Sequence, residues 1–439
     1  MSSAFSIALS SLQAQSQAID TTGNNLANMN TVGFKSSTVD FETLISENLG
    51  SGSAFQVGLG VGTPVNQQAF TQGPLQSSNS KLAAAIQGNG FFIVNNSGGQ
   101  QLFTRDGDFT VDKTGTLTTL TGEKVQGWIA NAAGAINTNG AIGNIVLPSG
   151  ELLPATPTTT FSMNGNLDSA TTPGGQGFSQ PISIVDSLGN THTLTVTFTN
   201  VSGTTSGGTT YPANTWTYDV TIPQGDLSGT PALTADPSLL AAPGVISFNT
   251  DGSLNTTASG FTPTATLKLP TGYTLADSAS FGTPTGNTMS FNLLDSSGAP
   301  TLTQFAQASG IGSKTVDGSQ AAQLSDFSIE NGGLIVATFS NGQQQIKGQL
   351  ALAAIQNPDT LQNVGNNNLI ASGATAQPAI GVPLSAGRGQ IFGAQLEGSN
   401  VDMATEFTKL ITYQRAYQAS SRVITTADQM SQDLMNLIH

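Results

Sequence analysis

The side chains able to do chemistry are few, and they lie where turns are expected. Asp106, Asp108 and Asp112 fall close together and raise the question of calcium. A calcium loop supplies acids and a glycine at fixed positions, and this stretch lacks that spacing. The three acids are therefore expected at turns and strand edges. The chain has two histidines, His192 and His439, too few for a histidine-rich metal site. Neither stands in a His-Glu-x-x-His pattern or is placed by sequence for a serine triad. His192 ends the turn Asp186-Ser187-Leu188-Gly189-Asn190-Thr191-His192, where a solvated side chain is expected rather than a ligand. With no cysteine there is neither a disulfide framework nor a thiolate metal site. Gly58-Leu59-Gly60-Val61-Gly62 lacks both the Lys-Ser/Thr ending of a P-loop and the spacing of a dinucleotide loop. A carboxylate pair for glycoside chemistry would have to be drawn from 26 acids. Two tryptophans and five tyrosines are also few for a sugar cleft. No catalytic residue, metal ligand or cofactor is expected, and the chain does not read as an enzyme.

Composition narrows the classes further. Charged residues make up 9% of 439 positions, against roughly 25% in an ordinary globular protein. There are 51 glycines and 19 prolines, which favours many turns over long helices. A net charge of −14 with only 12 basic residues excludes nucleic acid, whose phosphates need clustered Lys and Arg. From Val125 to Ser313 a single base, Lys268, stands beside nine acids, a solubilising and mutually repelling surface. No run approaches the roughly 18 apolar residues of a membrane span, so no membrane insertion is expected. The start Met1-Ser2-Ser3-Ala4-Phe5 lacks the basic region and apolar run of a cleaved secretory signal.

The elements fall into a helical pattern at each end and strands between. Phe5, Leu12, Ile19 and Leu26 recur every seven residues, each followed three later by Ala8, Gln15, Thr22 and Met29. This predicts a helix over 3–29, about 40 Å long. Tyr413, Ala416, Ser420, Val423, Ala427, Met430, Leu434 and Leu437 step by threes and fours, and Phe407 and Leu410 join them in a shifted phase. The last helix is expected from Val401, after Ser399-Asn400. Such seams belong to helices that pair side by side, either within one chain or between copies. Asn24, Asn25 and Asn28 are expected near the end of the first helix and Gly33 at its stop. From Leu82 the period becomes two, with Asp106-Gly107, Asn331-Gly332 and Asn341-Gly342 as hairpin turns. The fold class is mainly β with α-helical termini. The terminal helical domain takes 1–34 with 400–439, a connector 35–72 with 365–399, a core β-domain 73–148 with 302–364, and an outer β-domain 149–301. Gly58, Gly60 and Gly62 are hinge candidates in the connector.

Three blocks carry a resemblance. The run Gly23-Asn24-Asn25-Leu26-Ala27-Asn28-Met29-Asn30-Thr31-Val32-Gly33-Phe34-Lys35-Ser36 resembles the N-terminal signature of the flagellar rod and hook family. Leu396-Glu397-Gly398-Ser399-Asn400-Val401-Asp402-Met403 is similar to the segment that opens that family's last helix. Gly88-Asn89-Gly90-Phe91-Phe92 through Phe103-Thr104-Arg105-Asp106-Gly107 to Gly127-Trp128 looks like its β-core. Together they span about a seventh of the chain. The inserted β-region of about 150 residues resembles the outer domain of hook subunits rather than the small middle of rod subunits.

The resemblance implies a self-assembling tubular polymer. Terminal helices would pack as coiled coils inside, β-domains would lie outside, and the tube would be a curved joint passing torque from rod to filament. It implies many copies of the chain itself as partners, with distal rod, hook cap and hook-filament junction proteins and the flagellar export apparatus. The place implied is the extracellular flagellum, reached without a cleaved signal. Gln15, Thr22 and Ser420 on the seams weaken isolated helices, so folding on assembly is expected. The alternatives are a distal rod subunit with an insertion and, in another class, a secreted β-rich adhesin.

Overall fold

The structure is a computed structural model that describes residues 2–44, 47–48, 56–57, 60–132, 134–206, 209–258, 260–277, 279–280, 282–283 and 287–437. Two helices occupy the ends, α1 at Ser2–Ala27 and α2 at Met403–Leu437. Between them run many short strands joined by turns, as the period-two pattern predicts. No proline interrupts either helix, and α2 contains no glycine. Among the described residues no helix is long and apolar enough to cross a membrane.

The chain divides into two compact units. The first takes Met1–Ser149, Ser325–Thr338 and Gln343–His439. Its sheet runs through Gln344–Leu350, Lys124–Ile129, Phe91–Asn95, Gln101–Thr104 and Asn368–Ile370, antiparallel at each step. Phe91, Ile93, Phe103, Trp128, Ala353 and Leu369 fill one face. Phe92 points the other way, meeting Phe109 edge-on with centroids 5.2 Å apart. Because both faces are covered, Phe91 to Val94 are all buried and the run does not alternate with polar residues.

The second unit takes Gly150–Leu324 and Phe339–Gly342. Phe178–Val185, Thr191–Asn200, Thr215–Thr221 and Gly244–Ser247 form an antiparallel sheet. A second sheet is centred on Thr160–Asp168, which pairs in parallel with Thr288–Asn292 and Leu302–Phe305 and antiparallel with Gly310–Val316. Those pairings carry the inserted region past the boundary at 301 read from sequence. Phe161, Leu194, Phe198, Trp216, Tyr218 and Phe291 belong to a single core. In Thr191–Asn200 the threonines point outward, and His192 shares the inward face with Leu194, Val196 and Phe198. His192 is therefore buried at the start of a strand and not solvated at a loop tip, which corrects the sequence reading.

Candidate assembly surface

The first unit ties the end of α1 to the start of α2 through side chains far apart in sequence. Gly33 turns the chain after α1 with a positive φ of 69°, and a Cβ there would lie 2.6 Å from the Arg105 carbonyl carbon. Only glycine fits such a position. Its N–H donates to the Glu397 carbonyl at 2.8 Å. The Glu397 side chain is 0% exposed and accepts from Lys35 Nζ at 2.6 Å, Arg105 Nη1 at 3.0 Å and the Gly73 N–H at 3.0 Å. Lys35 also donates to the Thr71 carbonyl, and Arg105 to the Gly88 carbonyl. Burial pushes the Lys35 ammonium below its usual range, against the pull of Glu397. Phe34 is buried beside this ion cluster in sequence, and Val401 is half-buried.

Asparagines complete the junction. Asn400 Oδ1 accepts the Ser36 N–H at 2.7 Å, and its Nδ2 donates to the Ala69 carbonyl at 2.8 Å. Asn25 exchanges two bonds with the Ser37 backbone and donates to Glu406 Oε2 on α2 at 3.1 Å. Asn28 stays local, donating to the Asn24 carbonyl at 2.9 Å. Ser399 Oγ accepts the Val401 N–H, and Asp402 Oδ1 accepts the Thr405 N–H at 2.7 Å as the N-cap of α2. The Thr405 hydroxyl, with that N–H bond, holds the Asp402 carboxyl below its usual range.

α1 and α2 run antiparallel. Ser11 bonds Ser420 at 2.8 Å and Asn25 bonds Glu406, with equal sequence separations on the two helices. The buried positions of α1 are Ala8, Ala14, Ala18, Thr21, Thr22 and Asn25, with Ser11 and Gln15 half-buried beside them. Of the predicted series, Ala8 and Thr22 are buried and Gln15 is half-buried. Leu12, Ile19 and Leu26 are half-buried at the flank of this stripe. On α2, Leu410, Tyr413, Ala416, Ser420 and Ala427 turn inward. Val423 and Met430 are 48% and 64% exposed, and Ile424 and Ser431 stand inward in their place. Phe5, at 47%, and Phe407, at 44%, also face out, with Leu9 and Ile411 as neighbours. Leu434 and Leu437 lie in α2, but their side chains fall outside the described residues. α1 thus presents mainly small side chains to α2, Leu410, Tyr413 and Ile424 of α2 turn inward, and Phe5, Phe407, Val423 and Met430 stay exposed.

Gly58 lies outside the described residues. Gly60, at φ 98°, packs so close to α1 that a Cβ would meet Ser10 Oγ at 2.5 Å. Its carbonyl accepts the Leu44 N–H at 3.1 Å, and Gly62 donates to the Glu42 carbonyl at 2.7 Å. A hinge at Gly60 and Gly62 would have to break both bonds.

Four family models match in chain order. They are "Flagella basal body rod protein" at 5–35, "Flagellar hook protein FlgE/F/G D1 domain" at 85–168, "Flagellar basal body protein FlaE D2 domain" at 154–319 and "Flagellar basal body rod FlgEFG protein C-terminal" at 394–437. The flagellar hook protein FlgE of Treponema pallidum is 32% identical over 98% of this chain and 98% of its own. The chain belongs to the flagellar hook protein family. The FlgE of Salmonella typhimurium is 31% identical over 99% of both chains. Among solved structures, FlgE2 of Helicobacter pylori covers 72% of this chain and 99% of its own, at 14% identity and a TM-score of 0.49.

This hook-family chain is a hook subunit, and the rod and adhesin readings are set aside because hook relatives match it end to end, insertion included. The family is structural and not an enzyme family. Sequence reasoning named Gly33, Lys35, Asn400 and Asp402 of this hook subunit's junction. It did not single out Glu397, Arg105 or Glu406, although the first two stood in the quoted blocks. An isolated acid or base carries no signal of burial until its partner is known.

Proposed function

We propose that copies of this hook subunit polymerise through the outward apolar faces of α1 and α2, with residues 1–34 and 400–439 forming the inner tube and the β-units outside it. The observation that carries this reading is the uncovered set Phe5, Phe407, Val423 and Met430 on a helix pair already closed on itself. Large apolar side chains on an exposed helical face mark a contact with another chain. The tube bends as it turns, passing torque between the distal rod and the filament-side junction, and grows beneath a cap protein. Subunits reach the outside of the cell through the flagellar export apparatus without a cleaved signal.

The test is sedimentation and negative-stain electron microscopy under salting-out conditions. Curved tubes are expected from the intact chain. A chain carrying Phe407→Ser, Val423→Ser and Met430→Ser together is expected to stay folded by circular dichroism and remain monomeric. The same is expected of one lacking residues 1–35 and 400–439. Tubes from the triple variant at the wild-type threshold would remove the assembly role from these exposed side chains. Straight tubes from the intact chain would remove the bending role.

A further inference from the structure

The second unit contains a side-chain cluster outside the proposed assembly surface. His192 is 7% exposed and Asp186 is 1% exposed. His192 Nε2 lies 3.2 Å from Asp186 Oδ2 and 4.0 Å from Asp277 Oδ2, while Nδ1 lies 3.1 Å from Asp226 Oδ2. The backbone orients the carboxylates. Asp186 Oδ1 accepts the N–H groups of Leu188 and Asn190 at 2.9 and 2.8 Å, and Asp277 Oδ1 accepts that of Ala279 at 3.0 Å. Each aspartate therefore spends one oxygen on its own loop and turns the other toward the ring. Asn190 Nδ2 donates to both of these oxygens, at 3.3 and 2.7 Å.

A neutral imidazole has one N–H and one lone pair. With the N–H on Nδ1 given to Asp226, the Nε2 lone pair faces two carboxylate oxygens. Acceptors facing acceptors beside the buried ring are unfavourable without a positive centre between them. A proton on Nε2 serves one oxygen, whereas a metal ion serves the nitrogen and both oxygens together.

We propose that Asp186, His192 and Asp277 bind a first-row divalent cation of the zinc class. The donor atoms of these three residues all lie within 4.8 Å of one another. Tetrahedral donors at about 2.0–2.2 Å from one ion stand about 3.3–3.6 Å apart. The 3.2 Å pair of His192 and Asp186 already suits an ion, and Asp277, at 4.0 Å, closes onto it by a small movement. One imidazole and two carboxylates fit zinc better than magnesium, which prefers oxygen and keeps its waters. Asp226 on Nδ1 is the outer partner that fixes the tautomer and ring orientation of a ligating histidine. Asp277 is partly exposed, so the fourth position opens to water on its side. The ion ties the 186–192 turn to the loop at Asp277, and through Asp226 to the short helical turn Gln224–Asp226.

The experiment titrates the metal-stripped full chain with Co2+, a zinc substitute with visible absorption, then displaces it with Zn2+. One Co2+ per chain is expected, with absorption bands of a low-coordinate site. Asp277→Asn, whose side chain is partly exposed, is expected to fold normally and bind at least tenfold more weakly, as is His192→Gln. Added Zn2+ is expected to raise the unfolding midpoint of the wild-type chain and leave that of Asp277→Asn unchanged. Equal Co2+ affinity for the wild-type and Asp277→Asn chains, or no Co2+ bands with the wild type, would overturn the site.

Discussion

Glu397 holds two buried cations, Lys35 and Arg105, and losing it would cost more than its own bonds. Glu397→Gln keeps the shape but leaves Lys35 and Arg105 buried without their anion. Breaking one partner of such a cluster typically costs about 3–5 kcal/mol. The exposed pair Lys81–Asp326, with a 2.7 Å contact, is the control. Removing it by Asp326→Asn should cost no more than about 1 kcal/mol. Urea unfolding of the two variants measures both, and a cost below 1 kcal/mol for Glu397→Gln would show that water reaches the site. At this scale the sequence was only half legible. Gly33 and Asn400 stand in recognisable runs, but Lys35 meets Glu397 across 362 positions of chain. His192 had a local signal that went unused. The repeat Thr-His-Thr-Leu-Thr-Val-Thr-Phe puts it in phase with Leu194, Val196 and Phe198, so period two alone predicts burial.

The helix pair shows why a heptad of large residues located both helices but not their contact. Phe5, Leu12, Ile19 and Leu26 repeat faithfully, yet the closest face is the one with the smallest side chains. Ala18 is fully buried, and the neighbouring Thr22 hydroxyl is satisfied by the Ala18 carbonyl at 2.8 Å. Close approach leaves no room there. Ala18→Leu should therefore force the helices apart, at about 1–3 kcal/mol for an overpacked core. Phe5→Ser, on the uncovered face, should change monomer stability by no more than about 0.5 kcal/mol. Hydrogen exchange along α1 compares them, and the assignment fails if Phe5→Ser proves the more damaging. The mismatch has a physical source. Pattern reading ranks residues by hydrophobicity, whereas the close approach of α1 to α2 selects small side chains such as Ala8, Ala14 and Ala18.

Each unit of the molecule has its own core, and each core holds one of the two tryptophans. Trp128 lies in the first, its indole N–H bonded to the Gly140 carbonyl at 3.0 Å. Trp216 lies in the second, 1% exposed and with its indole nitrogen unpartnered. Fluorescence therefore reads each unit separately once the other tryptophan is changed. Trp128→Phe leaves a reporter of the second unit, and Trp216→Phe leaves a reporter of the first. A chain with two separate cores need not unfold in one step. The two single-tryptophan chains are expected to give urea transitions with different midpoints. Glu397→Gln should move only the transition of the first unit, and Zn2+ only that of the second. Coincident transitions in all four experiments would mean that the chain unfolds as one cooperative block. The helix pair and the inserted β-region could not then have been adjusted independently, one for contact between copies and the other for its own fold.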